Sequence, residues 1–551
     1  MRRKLFAAAL ALATIVSVSG CSLFPESPRD LTEYLAQEAD WSDCDTDLLM
    51  SEQSLSDVFK ASEYDCATIL VPAKYTGSDD TENFQIQMMR IPAANPDEYM
   101  GAIFINPGGP GESGVEQVQW SPFPEELHQH YDIIGFDPRG VGSSNFEDGT
   151  KIHCSDHLDY ISYFKSEVTP ANTEEAEANI KANNHYLKDC AQRNPDWWTL
   201  STTNVVDDLE IMRAVVTGKA PLNFIGSSYG TTIAGTYVSK YPKHVGKIVF
   251  DSPTALDNSS VDSALADAKE AEGKLTRYLV GYARYAKITV GEAWQRLLKI
   301  RKWADDDKLI GFAGLKPVPG DENGNMISSE ALLLKGIFAM NYLPEDQAVS
   351  TFTQAMDALY TQKWNGQFEL YALWLDGYDS DILGLVSGEE NSEGRNNSFE
   401  IMTIVNTMDY SPLGWSEEEQ NRYDAKYKKV SPKWNKLYQD PGRFEYKGDL
   451  TDMSWEQLAR DDASIPDPPA EPPVRTNTSG KKVLIIGSTK ESVTPFVFAK
   501  ETAKAMKSPL ISVDSATHAP AAGYDIPCLN KILIDYFVND KVIESQSCPG
   551  A

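Results

Sequence analysis

The peptide Asn223-Phe-Ile-Gly-Ser-Ser-Tyr-Gly230 sets Ser228 at the centre of a G-x-S-x-G pattern. An apolar run precedes it and the small-residue stretch Thr231-Thr-Ile-Ala-Gly235 follows, so the pattern falls between a strand and a helix. In that context the turn strains the serine backbone and lifts Oγ above a sheet. Gly226 and Gly230 keep Cβ atoms away from the adjoining elements. The other reading is a serine in a tight strand-to-helix turn with no catalytic role. A serine hydroxyl is a weak nucleophile and needs an imidazole base. Of the seven histidines, His128, His130, His153, His157 and His185 precede Ser228, and His244 sits in a polar turn. Only His518 follows the last strand-like run, in the loop Asp514-Ser-Ala-Thr-His-Ala-Pro520. Where a strand–turn–helix elbow carries the serine, the acid comes next in the chain and the histidine last. The loop Ser488-Thr-Lys-Glu-Ser-Val-Thr-Pro495 offers one carboxylate, Glu491, to orient the imidazole. Asp251, at the end of an earlier strand-like run, is the rival acid.

A tetrahedral intermediate needs two fixed donors for its oxyanion. The N–H of Tyr229, just after the nucleophile, is one. The other is expected in Asn106-Pro-Gly-Gly-Pro-Gly111, where glycines admit the substrate to the backbone, and Gly109 is the expected donor. The same loop begins Gly109-Pro-Gly-Glu-Ser-Gly114, a G-x-G-x-x-G after a strand, and Asp137 ends the next strand where a ribose-binding acid belongs. A dinucleotide enzyme is therefore a competing reading, but it leaves Ser228, Glu491 and His518 without a purpose. Asp321-Glu-Asn-Gly-Asn325 has the look of a calcium loop, yet its glycine is at position 4 and no glutamate closes it at position 12, so a turn is expected. Neither a metal nor a cofactor is expected.

These residues need a sheet to hold them. Strands are expected at 66–72, 84–92, 101–106, 131–137, 221–225 and 246–251, with helices at 173–193, 204–217 and 231–241 between them. Alternation of this kind builds a parallel sheet with crossover helices. From 256 to 460 the chain turns charged and helix-rich, as in 264–285 and 290–303, and strand runs resume only at 483–487 and 509–513, with helices at 495–507 and 528–538. The Pro-rich stretch 466–473 is a stiff connector. The expected architecture is thus α/β: a mostly parallel central sheet flanked by helices, with a large, mainly helical cap inserted after the sixth strand. The expected division is a leader at 1–20, a polar linker at 21–40, a core at 41–255, the cap with its connector at 256–475, and the rest of the core at 476–551.

The 551 residues carry a net charge of −31, which repels nucleic acid, while 41% apolar and 24% charged residues suit a chain with a large core. Arg2, Arg3 and Lys4 precede an apolar run, Leu5 to Val16, that is too short to span a bilayer comfortably. The run leads into Val18-Ser19-Gly20-Cys21, which resembles a bacterial lipobox. Cys21 is then the lipid-modified first residue, anchoring the protein at the outer face of the membrane; plain secretory cleavage is the other reading. Setting Cys21 aside leaves Cys44, Cys66, Cys154, Cys190, Cys528 and Cys548. An even set in an exported chain reads as disulfides, of which six cysteines allow fifteen connectivities. Their grouping favours 44–66, 154–190 and 528–548 over a zinc site, for which no CxxC pair or histidine cluster is present.

With Asn106-Pro-Gly-Gly-Pro-Gly111, Gly135-Phe-Asp-Pro-Arg-Gly-Val-Gly-Ser143, Gly226-Ser-Ser-Tyr-Gly-Thr231, Val493-Thr-Pro495 and Cys528…Cys548-Pro-Gly550, the chain resembles the tripeptidyl and prolyl aminopeptidases, α/β-hydrolases of secreted actinobacterial type. The resemblance covers about 41–255 and 480–551. It implies an α/β-hydrolase fold with a helical cap, local disulfides of the kind just paired, and removal of short peptides, tripeptides foremost, from free N-termini through an acyl-enzyme. Two departures stand out: Glu491-Ser492 replaces the usual Asp-Pro before Val-Thr-Pro, and Thr517-His518-Ala519 replaces Gly-His-Gly. A cell-surface carboxylesterase or lipase uses the same chemistry, and a solute-binding lipoprotein is the reading from another class.

Overall fold

A computed structural model describes residues 28–49, 64–77, 82–120, 123–154, 181, 185, 188–194, 196–257, 260–305, 330–361, 397–409, 416–438, 474–477 and 483–550. Cys21 with its leader, most of the expected helix at 173–193, the 321–325 turn and the Pro-rich connector lie outside them.

Among the described residues, ten strands form one sheet: β1 (Ser42–Asp43), β2 (Asp65–Pro72), β3 (Asn83–Ile91), β4 (Gly101–Asn106), β5 (Tyr131–Phe136), β6 (Leu222–Ser227), β7 (Val245–Asp251), β8 (Leu484–Ser488), β9 (Leu510–Asp514) and β10 (Gln546–Pro549). Their spatial order is β1-β2-β3-β5-β4-β6-β7-β8-β9-β10. The first three pairings, through β3 with β5, are antiparallel; every pairing from β5 to β10 is parallel. The central parallel strands are covered on both faces, which is why Ile103, Phe104, Ile105, Phe224, Ile225, Val249, Phe250, Ile485 and Ile486 are all buried in unbroken apolar runs instead of alternating with polar residues.

The six strands expected before the insertion are all present, within a residue or two at most ends. Short β1 makes the insertion follow the seventh strand of the sheet. Within the inserted region, helices Val261–Ala286, Val290–Asp305, Glu330–Ala339, Glu345–Tyr360, Glu417–Val430 and Pro432–Tyr438 share an apolar cluster of their own, around Leu275, Tyr278, Leu297, Leu334, Phe352 and Leu437. Helix Ser398–Asp409 differs: Ile401, Ile404, Val405 and Met408 join the core cluster beside Ile152 and Leu200. Glu400 fastens it there, accepting from Cys154 N–H at 3.2 Å and lying 3.3 Å from His153 Nδ1. The chain returns to the core at Arg475, whose guanidinium donates to Thr254 Oγ1 at 2.8 Å and to Ala255 C=O, so the two ends of the insertion meet.

Three disulfides form with the connectivity favoured from the sequence: Cys44–Cys66, Cys154–Cys190 and Cys528–Cys548.

Candidate active site

Parallel strands place their carboxyl ends on one edge of the sheet, where ligands of such folds bind. Ser227 pairs with Asp251, Asp251 with Ile486, and Ser488 with Val513, so β6, β7, β8 and β9 end side by side. The loops that leave these ends carry Ser228, Ser252, Glu491 and His518.

Ser228 has φ = +54°, a left-handed conformation that a side chain adopts only under constraint. The constraint is visible on either side. A Cβ on Gly226 would lie 2.3 Å from Gly230 O, and one on Gly230 2.6 Å from Asn106 O, so both positions exclude any side chain. Thr231 N–H bonds back to Ser228 O at 3.0 Å, opening the helix Gly230–Lys240 directly from the turn. Ser228 itself is half-buried. This is the elbow that the motif calls for.

Glu491 and His518 meet: imidazole Nδ1 lies in hydrogen-bond contact with Glu491 Oε1. The same oxygen accepts from Thr494 N–H at 3.2 Å and Thr494 Oγ1 at 2.7 Å, while Oε2 accepts from Ser252 Oγ at 2.8 Å. The glutamate's extra methylene is accommodated because these donors grip both oxygens. The Glu491 carboxylate is sealed at 1% exposure and the His518 ring keeps 15%, so solvent meets the imidazole and not the carboxylate.

Asp251, the rival, is occupied elsewhere. Its Oδ2 accepts from Ala521 N–H at 2.9 Å and Ala522 N–H at 3.0 Å, and its C=O accepts from Ser228 N–H at 3.0 Å. Burial pushes its carboxyl up to about 7 against the pull of those amides; Glu491 nearby adds to the rise and His518 opposes it. Ser252 continues the role with φ = +55°: its Oγ accepts from Ala519 N–H at 3.0 Å while donating to Glu491. Asp251 and Ser252 therefore bind the elbow, the acid and the histidine loop into one unit. Nothing in the sequence around Ser252 announces this, since the turn is made by atoms from three distant segments.

The glycine loop after β4 lies against the elbow. A Cβ on Gly108 would stand 2.8 Å from Tyr229 N and 3.0 Å from Ser228 Cβ. Gly108 N–H is taken by Asn106 Oδ1 at 3.1 Å, whereas Gly109 N–H makes no hydrogen bond among the described residues. Tyr229 is held from the other side, its phenol bonded to Thr202 Oγ1 and that hydroxyl to Asp409. Burial raises the Asp409 carboxyl to about 7, with the Thr202 hydrogen bonds opposing. The dinucleotide reading of this loop fails on Asp137. Its carboxylate is buried and spent on Ser113 Oγ (2.5 Å), Val115 N–H (3.1 Å) and Ser143 N–H (3.0 Å), leaving no acceptor for a ribose.

The inserted region reaches the imidazole. The Tyr342 ring meets the His518 ring edge-on, centroids 6.1 Å apart at 86°.

Two family models match: the α/β hydrolase fold over residues 101–284, and the TAP-like protein segment over 451–548. The chain is an α/β-hydrolase with a TAP-like C-terminal segment. It is similar to serine protease Hip1 of Mycobacterium tuberculosis, 24% identical over 98% of this chain and 96% of the relative. It is similar also to the tripeptidyl aminopeptidase of Streptomyces lividans, 29% identical over 39% of this chain and 38% of the relative. Carboxylesterase B of M. tuberculosis is 23% identical over 97% of this chain and 93% of the relative. With serine protease and aminopeptidase relatives on this fold, the α/β-hydrolase is a serine hydrolase.

Proposed function

We propose that this serine hydrolase is an exported peptidase, lipid-anchored through Cys21 at the outer face of the membrane, that releases short peptides, tripeptides foremost, from free N-termini. The observation that carries the reading is the contact of His518 Nδ1 with the sealed Glu491 carboxylate, on a loop tied through Asp251 and Ser252 to the Ser228 elbow. Glu491 fixes the imidazole so that its other nitrogen takes the proton from Ser228 Oγ, and it stabilises the imidazolium that forms. The serine oxygen attacks the scissile carbonyl, whose developing charge is received by the N–H groups of Gly109 and Tyr229. His518 returns the proton to the leaving amine, and water then cleaves the acyl-enzyme.

Two carboxyl groups near the imidazole suit a peptide α-ammonium. Glu112 and Asp267 both act electrostatically on Tyr342 beside His518. Both keep surface open to solvent, yet both are enclosed enough for burial to raise their carboxyls, Asp267 to about 7. The region 256–475 serves, on this reading, as the cap that limits how much of the substrate reaches Ser228.

A carboxylesterase is the second reading, favoured by the likeness to carboxylesterase B along nearly the whole chain. Purified protein should be labelled at Ser228 by a fluorophosphonate and should cleave free-amino tripeptide anilides in preference to N-blocked ones. Preference for simple acyl esters would return the esterase, and an unlabelled Ser228 would leave a binding lipoprotein. In the native host Cys21→Ser should move activity from the membrane fraction to the medium; retention in the membrane would refute the anchor.

A further inference from the structure

Helix Val261–Ala286 presents Lys274, Arg277 and Tyr278, spaced i, i+3, i+4, on one face toward the site. The Tyr278 hydroxyl donates to Met340 C=O at 2.9 Å, and Lys274 Nζ donates to the next carbonyl, that of Asn341. Between them they pin the short 3-10 turn Met340–Tyr342, whose last residue is the ring that meets His518. Arg277 reaches the core itself, donating from Nη2 to Lys490 C=O at 3.1 Å, one residue before Glu491, while its Nε lies 3.2 Å from Glu345 Oε1. One helix face of the cap thus grips both the acid loop and the turn over the base.

Lys274 is the unusual member. Its side chain is wholly buried, and it forms no ion pair among the described residues. The charged groups acting on it are Glu491 from the acid loop, Glu345 from helix Glu345–Tyr360, and Arg277 on its own helix. An ammonium buried in this way is costly unless something returns the cost. A neutral methylene chain would fill the same space without desolvating a charge, so packing alone does not account for a lysine here.

We infer that Lys274 is a positioning residue for the proposed catalytic pair: its ammonium, hydrogen-bonded to Asn341 C=O and attracted by Glu491 across the core–cap boundary, holds Tyr342 against the His518 ring. The inference rests on the serine-peptidase reading of Ser228, His518 and Glu491. A charge-assisted hydrogen bond is roughly twice as strong as a neutral one, so loss of the proton from Lys274 loosens the turn. Burial lowers the ammonium to about 8, with Glu491 and Glu345 opposing and Arg277 assisting, so the loosening falls within reach of a pH series.

The test measures the rate of fluorophosphonate labelling at Ser228 from pH 6 to 10, a reagent with no amine to titrate near pH 8, and kcat and KM on a tripeptide anilide at pH 7. Wild type should lose rate with a midpoint near pH 8. Lys274→Met should lower kcat about a hundredfold at pH 7, the scale of a misplaced catalytic group, with KM changed less, and should lack the limb near pH 8. Lys274→Arg, which keeps a charge throughout the range, should recover most of the rate and also lack the limb. The inference is overturned if wild type shows no such limb, if Lys274→Met retains wild-type rates, or if its residual activity keeps the same limb. Should Lys274→Met fail to fold by circular dichroism, Lys274→Arg decides alone, and a persisting limb overturns the inference. A wild type unlabelled at every pH overturns both this and the serine-peptidase reading, whereas normal labelling with an unaltered Lys274→Met profile overturns only this one.

Discussion

Glu491 shows how a departure from a motif is absorbed by neighbours. A carboxylate one methylene longer than aspartate must be gripped to present a single oxygen to the imidazole, and Thr494 and Ser252 do this from opposite sides. Glu491→Gln keeps the shape but replaces an acceptor with a donor, turning the imidazole to the wrong tautomer. The proposed mechanism then predicts a fall in kcat of about 10⁴, the size of the equivalent change in a serine protease triad. Glu491→Asp withdraws the oxygen from His518 while keeping the charge, and should also lose most activity. If both variants turn over like wild type in a burst assay, the acid is misassigned. Ser228, Glu491 and His518 could be singled out as candidates because chain order and strand ends are local features. The grip of Ser252 and the anchoring of Tyr229 by Asp409 could not, because the Ser252–Glu491 and Thr202–Asp409 bonds join residues 239 and 207 apart.

At the scale of elements, the end of β7 holds the site together with an acid that is not expected to ionise freely. The ordinary Asp value is near 4, and burial raises Asp251 to about 7. The native state therefore holds a proton that the unfolded chain releases. The stability this contributes is full below about pH 4 and is lost as pH rises through 7. Asp251→Asn keeps an oxygen for the amides of Ala521 and Ala522 and cannot ionise. Its thermal midpoint relative to wild type should climb between pH 5 and 8, and a constant difference would show that Asp251 does not titrate there. The helices illustrate the limit of pattern reading. The apolar stripe Ile401, Ile404, Val405 and Met408 marks an amphipathic helix, but the same stripe would serve a cap or a core partner, and only the folded chain shows it against Ile152 and Leu200.

On the scale of the molecule, the sheet is open at two edges, and each edge is closed in the same manner. A strand of two residues, β1, covers one, with Cys44 just beyond it bonded to Cys66 in β2. A strand of four, β10, covers the other, with Cys548 bonded to Cys528 in helix Pro527–Phe537. Both strands are short and largely exposed, so neither carries an apolar signal that a sequence reading can detect, whereas the cysteines do. Unpaired edges invite association with other chains, and a stapled strand removes the template. The two staples differ in what they guard, because β10 pairs with β9, and β9 leads into the loop of His518. Replacing Cys528 and Cys548 by serine should cost about 3 kcal/mol, as loops of this length do, and so should replacing Cys44 and Cys66. Only the first pair should also release the histidine loop, so that activity is lost at a lower urea concentration than the global fluorescence transition, with aggregation through the bared β9 edge. The second pair should lose activity and fold together. If the two double variants behave alike, the terminal strand contributes stability without guarding the site.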